Sequence, residues 1–307
     1  MLKPKALSPG DRLAIVAPAS GFDRSEFELG LTELRALGFD PVYDESIFDR
    51  RVYVAGEAAE RAEAFRKAWL DPDIAGLVGV RGGYGSVHLL PWLTPTELQR
   101  RPKVFLGYSD LTSLLVHLTT GCGVVGFHGP TVVGRLSKGE GAYDRESLKR
   151  MTMVAEPFGE LSPDSLKILN PGEATGTLLG GTLTQLVASL GTPYAFAPQK
   201  PFLLFIDEIG ERPYRLDRML TQLRLSGLLS AASGVIWGEL PSCDEPAGEP
   251  TARATVADLL SDFRGPVVFG FPSGHTQGSA ITLPFGVRAR LSTESRPRLV
   301  VEEAAVS

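Results

Sequence analysis

Val104-Phe105-Leu106-Gly107-Tyr108-Ser109-Asp110-Leu111-Thr112 is the most informative stretch of this chain. An apolar run ends at a glycine, and a serine follows two residues later. Leu111, Leu114, Leu115 and Leu118 then recur at helical spacing. The pattern predicts a strand, a tight turn and a helix, an arrangement that presents a hydroxyl at the carboxyl edge of an α/β sheet. A helix terminus offers unpaired N–H groups and a positive dipole end, both suited to a developing oxyanion. The same residues also suit plain capping, with Ser109 as N-cap and Asp110 in the first turn. The second glycine of a G-x-S-x-G elbow is missing, which argues against an ordinary α/β-hydrolase.

Around this stretch, strand and helix signals alternate. Strands are expected at 13–17, 41–43, 76–80, 104–106 and 124–127, and helices at 24–37, 58–69 and 111–118. Such alternation predicts an N-terminal α/β domain with a parallel sheet, over residues 1–135. Residues 136–175 are rich in Gly, Ser, Lys and Glu with weak apolar patterning, and are expected to connect two domains. From 176 to 307 the pattern returns as short strands and three helices, which predicts a β-rich mixed C-terminal domain. Ligands of parallel sheets bind beyond the strands' carboxyl ends. The loop Arg81-Gly82-Gly83-Tyr84-Gly85 and the Ser109 turn both follow strands, so one cleft can hold both.

Composition narrows the function classes. Of 307 residues, 43% are hydrophobic and 22% charged, as in a globular protein of one or two domains. The net charge of −5 has no long basic run, which disfavours nucleic acid as a partner. Cys122 and Cys243 fit no disulfide framework or zinc spacing and read as small buried residues. No stretch reaches the ~18 apolar residues of a membrane span. Residues 1–22 lack the apolar core of a signal peptide, so a cytoplasmic location is expected.

A nucleophilic serine needs a base, and the chain has four histidines. His117 lies eight helical residues past Ser109, about 12 Å away, and falls off the leucine stripe as an exposed position. His88 follows the glycine loop in a helical pattern, where a structural role fits. His128, ending a strand, and His275, in Pro272-Ser273-Gly274-His275-Thr276, both remain candidates. The base in turn needs an orienting carboxylate. Asp207 and Glu208 close the apolar run 202–206, and strand geometry sends them to opposite faces, so at most one meets a histidine. The same pair also fits a plain solvated strand end. The 81–85 loop lets backbone approach a ligand closely, and Arg81 is suited to a carboxylate. Gly180-Gly181-Thr182 before a helix forms a second anion-friendly terminus.

Taken together, Ser8–Arg12, Ala17–Ser20, Arg81–Gly85, Gly107–Thr112, Gly180–Leu186, Phe205–Leu220 and Gly270–Thr276 resemble, in order, the LD-carboxypeptidase family of serine peptidases. That family also contains the microcin C self-immunity proteins. The resemblance implies a Ser–His–Glu triad split between an N-terminal α/β domain and a C-terminal domain, with the active site at their interface. Ser109 and His275 match the nucleophile and the histidine, and His128 is left a cleft or structural role. Asp207 stands where the family has its Glu, and Glu208 where it has Asp, so either is a candidate third member. Asp110 and Gly83 are the implied oxyanion donors, and Arg81, Gly82, Tyr84 and Gly181 the implied substrate contacts.

The resemblance further implies no metal or cofactor, a homodimer, and a murein tetrapeptide substrate that loses its terminal D-alanine during cell-wall recycling. Two rival readings use the same residues. One is an amidase of aminoacyl-sulfamoyl nucleotides, which needs an aromatic platform such as Trp237, although Trp237 also fits a core strand. The other is a non-catalytic protein holding an anion in its glycine loops.

Overall fold

A computed structural model describes residues 1–307, and its secondary structure divides between two sheets. The first contains β1 (Arg12–Val16), β2 (Asp40–Val42), β3 (Gly76–Gly79), β4 (Val104–Gly107) and β5 (Gly126–His128), all parallel. The crossovers carry α1 (Arg24–Ala36) and α2 (Ala58–Leu70), then the short α3 (Pro95–Arg100). Asp23 caps α1 by accepting from the Ser25 and Glu26 N–H groups, and Phe27, Gly30, Leu31 and Leu34 form its buried face. After β4 come a tight turn, α4 (Thr112–Val116) and a wider helical turn over 117–121. Pairing runs β2-β1-β3-β4-β5, so β4 is central and the carboxyl ends of β3, β4 and β5 lie side by side.

The stretch expected to be a connection carries secondary structure of its own. It builds α5 (Arg145–Met153) and the strands β6 (Gly159–Leu161) and β7 (Lys167–Asn170), which occupy the two edges of the second sheet. Both are short and half-exposed, so their sequences carry little of the apolar alternation that marks a central strand.

The second sheet continues through β8 (Glu173–Thr182), followed by α6 (Leu183–Ser189), and β9 (Phe202–Asp207), followed by α7 (Pro213–Leu225) and the short α8 (Leu228–Ala231). It is completed by β10 (Gly234–Trp237), α9 (Ala252–Leu259), and β11 (Val267–Phe269). Strands β8 to β11 are parallel neighbours. β12 (Leu283–Phe285), expected in this sheet, instead pairs antiparallel with β5 in the first, Leu283 opposite His128. β13 (Arg288–Ser292) and β14 (Arg298–Val301) then return to the second sheet.

Because the chain crosses back at β12, the loop between β11 and β12 is anchored to both sheets. One continuous cluster of 83 buried apolar residues spans both halves, so they pack as one body. No helix is long and apolar enough to cross a membrane.

Candidate active site

The turn after β4 departs from the capping expectation. Ser109 has φ +63°, in the left-handed region, whereas an N-cap residue is extended. Such backbone in a non-glycine residue costs about 1–3 kcal/mol and persists only where its surroundings hold it. The Ser109 hydroxyl caps nothing. Its Oγ lies 3.1 Å from Nε2 of His275.

His275 comes from the loop after β11 and is nearly buried, with 10% of its side chain exposed. Its Nδ1 lies 2.8 Å from Oδ2 of Asp207, and its own backbone N–H donates to that same oxygen at 2.9 Å. The Thr182 hydroxyl donates to Oδ1 at 2.8 Å. Thr182 and Asp207 are paired across β8 and β9, which places that hydroxyl by register. Asp207 is wholly buried with three donors. An anionic Asp207 requires N–H at Nδ1, which leaves the lone pair of Nε2 facing the serine.

Burial pulls the His275 pKa down, but the charge and hydrogen bond of Asp207 outweigh it and leave the value raised. Burial likewise opposes ionisation of Asp207, and the charge and hydrogen bonds of His275 more than compensate, so its carboxyl lies well below the usual range.

Two further groups fix the histidine loop. The Arg135 guanidinium donates to the carbonyls of Gly274 (2.7 Å), Thr276 (2.6 Å), Ala142 (3.0 Å) and Gly278 (3.1 Å), spanning both neighbours of His275. Glu239, just past β10, accepts from the Thr276 hydroxyl and the Gln277 N–H. Gly274 has φ +64°, and a Cβ there would stand 2.5 Å from Cε1 of His128 and collide with the Asp207 carboxylate. No larger residue fits between them.

Glu208 points the other way, as strand alternation requires. Its Oε2 accepts from the Thr184 N–H (2.8 Å) and hydroxyl (2.7 Å), and its Oε1 from the Ile209 N–H (3.0 Å). Burial pushes its pKa up. The first turn of α6 therefore already has its anion. Gly181 lies near the end of β8. It is buried against Thr112, whose Oγ1 would lie 2.6 Å from an added Cβ, and a Cβ on Gly180 would collide with the Phe205 carbonyl. The two glycines let β8 approach β9 and α4.

The glycine loop meets the serine turn directly. A Cβ on Gly82 would stand 2.8 Å from Cβ of Ser109 and 3.1 Å from the Asp110 nitrogen. The Asp110 carboxylate accepts from the N–H groups of Gly85 (3.3 Å) and Ser86 (2.8 Å) and from Gln185 Nε2 (3.2 Å). Buried Arg61 donates to the Gly85 and Pro18 carbonyls from the other side. The N–H groups of Asp110 and Gly83 donate to no atom of the chain. Arg81 is exposed, 3.4 Å from the Gly21 carbonyl. Tyr84 is 45% exposed, its ring edge against Tyr53.

His128 lies wholly buried behind Asp207. His117 is buried rather than exposed, bonded through Nε2 to the Leu93 carbonyl at 2.7 Å. Trp237 is fully buried and offers no face to a ligand. Burial raises the thiol pKa of Cys122 to about 12 and of Cys243 to about 11, which leaves both unreactive. Sequence reasoning missed Thr182, Arg135 and Glu239. The Gly–Gly–Thr strand end was a usable signal for the first, and nothing local marks the other two.

Comparison with known proteins matches residues 13–129 to the LD-carboxypeptidase N-terminal domain and residues 175–291 to the LD-carboxypeptidase C-terminal domain. A Bacillus subtilis protein named "probable murein peptide carboxypeptidase" is 32% identical over 99% of this chain and 95% of its own. The crystal structure of muramoyltetrapeptide carboxypeptidase from Oxalobacter formigenes superimposes with a TM-score of 0.82 at 30% identity, covering 94% of this chain and 97% of that one. The microcin C7 self-immunity protein MccF, solved with glutamyl sulfamoyl guanosine, shares the fold with a TM-score of 0.91 at 21% identity over the full length of both chains.

Proposed function

The chain belongs to the LD-carboxypeptidase family and is a serine-type carboxypeptidase, and from that premise we propose that Ser109, His275 and Asp207 are its catalytic triad and a murein tetrapeptide its substrate. The observation that carries the triad is the unbroken relay from Oγ of Ser109 through both nitrogens of His275 to Oδ2 of Asp207, at 3.1 and 2.8 Å. Its members come from the two sheets, so only the folded interface creates it.

In this mechanism Nε2 of His275 takes the Ser109 proton as Oγ attacks the scissile carbonyl. The imidazolium is held by Asp207. The oxyanion lies against the N–H groups of Asp110 and Gly83, and loss of one such donor lowers the rate roughly 10²–10³-fold. His275 then protonates the leaving amine, and water resolves the acyl-enzyme by the same path in reverse. Arg81, on the rim of the glycine loop, is suited to the carboxylate of a leaving D-alanine, and Tyr84 and Gly82 line the approach. The reaction fits a place in cell-wall recycling, in the cytoplasm and as a homodimer, which light scattering registers at twice the 33.0 kDa chain mass.

The deciding experiment is mass spectrometry of a disaccharide-free murein tetrapeptide incubated with the protein and with Ser109→Ala. Loss of one alanine with the native protein alone is expected. Equal turnover by both proteins excludes the serine mechanism, and binding without turnover by either favours a non-catalytic role. An aminoacyl-sulfamoyl nucleotide tested in parallel separates the amidase reading, whose aromatic platform Trp237 does not supply.

A further inference from the structure

Behind Asp207 lies a second imidazole that the mechanism does not use. His128, at the end of β5, is walled by Phe205 and Phe285, with ring centroids 5.1 and 5.3 Å away. Its protonation follows from counting hydrogens. The Ser273 hydroxyl has one, and donates it to the Ile281 carbonyl at 2.7 Å. Toward Nδ1 of His128, 3.0 Å away, that oxygen can therefore only accept. The His128 proton sits on Nδ1, and Nε2 keeps a bare lone pair.

Nε2 has no hydrogen-bond partner in the protein and lies 3.9 Å from Oδ1 of Asp207. Two acceptors thus face each other out of water. Protonating the ring would relieve this, but burial drives its pKa down to about 4, against the pull of Asp207 and aided by the charges of His275 and Arg135. The titratable and charged groups facing His128 are Asp207 from β9, His275 from the loop after β11, Arg135 from the segment after β5, and Tyr108, ring centroid 6.1 Å away, from the serine turn.

We propose that Ser273 locks the tautomer of His128, and that His128 is thereby a positioning residue which presents a lone pair, not an N–H, to the outer oxygen of Asp207. The inference rests on the reading of Asp207 and His275 as acid and base. An N–H at that position would turn its positive end toward Oδ1 across 3.9 Å and draw charge away from His275. With a lone pair there, Thr182 is the sole donor to Oδ1, and the carboxylate remains a strong partner for the imidazolium formed in the reaction.

The test has two arms. In the resting protein, ¹⁵N NMR of His128 is expected to show Nδ1 protonated and Nε2 bare at neutral pH. Ser273→Ala removes the acceptor, so the proton is expected to move to Nε2, where it faces Oδ1 of Asp207 across 3.9 Å. The acid limb of kcat/KM then moves down by about one pH unit and kcat falls about tenfold with KM unchanged, the scale of an N–H dipole facing a buried carboxylate at that distance. Ser273→Thr, which keeps the hydroxyl, is expected to restore both. A native His128 protonated on Nε2 or titrating near neutral pH overturns the proposal. So does a Ser273→Ala protein in which the proton moves and the acid limb does not. The NMR arm needs no turnover, so a protein inactive on murein peptides would count against the proposed substrate and not against the lock.

Discussion

Replacing Asp207 by asparagine separates charge from geometry in the His275 pair, and the surroundings dictate how the amide sits. With its NH₂ toward His275, it would face two N–H donors now satisfied by Oδ2 at 2.8 and 2.9 Å. Each buried donor so orphaned costs about 1–3 kcal/mol. With its oxygen toward His275 both bonds survive. The NH₂ then faces the Thr182 hydroxyl, which can rotate to accept, and the bare Nε2 of His128.

The second orientation wins, so His275 keeps its tautomer and what is lost is charge. Hydrogen bonds to a charged group contribute ~1.5–3 kcal/mol and neutral ones ~0.5–1.5, so two bonds lose about 2–3 kcal/mol together. That corresponds to roughly a 10²-fold fall in kcat/KM above the acid limb. Native His275 has a raised pKa, so activity should rise with pH through a midpoint above the ordinary ~6.5 of imidazole. Without the anion, burial outweighs the weaker pull of Glu208 and the midpoint drops below ~6.5. The assay is D-alanine release across pH. A loss near the ~10⁴-fold typical of a reversed tautomer, or an unmoved midpoint, would refute the reasoning.

Glu208→Gln should act on stability and spare kcat. Its carboxylate accepts from two backbone N–H groups, and an amide leaves one facing NH₂, at about 1–3 kcal/mol in a denaturant melt. A severe loss of turnover there, with Asp207→Asn nearly native, would reverse the assignment of the acid. Ser109→Gly and Ser109→Ala should both be inactive, yet the glycine variant should be the more stable by about 1 kcal/mol because it tolerates φ +63°. Equal melting would mean the turn is not strained. Arg135→Lys should cost about 2 kcal/mol and lower kcat, because an ammonium cannot reach four carbonyls at once. A native melt and native kcat would show the loop to be self-supporting.

Most of the architecture was legible because it rests on local patterns. The strands ending at Gly79, Gly107 and Asp207 follow from apolar runs closed by turn residues, and the helices between them from spacing and caps. Three features were not. Strands β6 and β7 lie on sheet edges, where half-exposed residues lose the alternation that would reveal them. β12 reads as a strand but joins the other sheet, since period alone does not specify a partner. Gly180-Gly181 before a helix looks like an anion cradle, but close packing is what requires both glycines.

What the sequence determined by itself is which residues stand at strand ends: Ser109 after β4, the acidic pair at the end of β9, and His275 beyond β11. Strand periodicity also required that only one of Asp207 and Glu208 face the histidine. Which one did not follow from residue order, because it depends on the face β9 turns toward the first sheet and on its pairing with Thr182. Ser109 is similar. A serine before a helix reads equally as a cap or as a strained turn, and contacts from distant segments select the left-handed form. The His275 loop owes its shape to Arg135, some 140 residues away in the chain, and side-chain contacts at that separation exist only after the two sheets have packed.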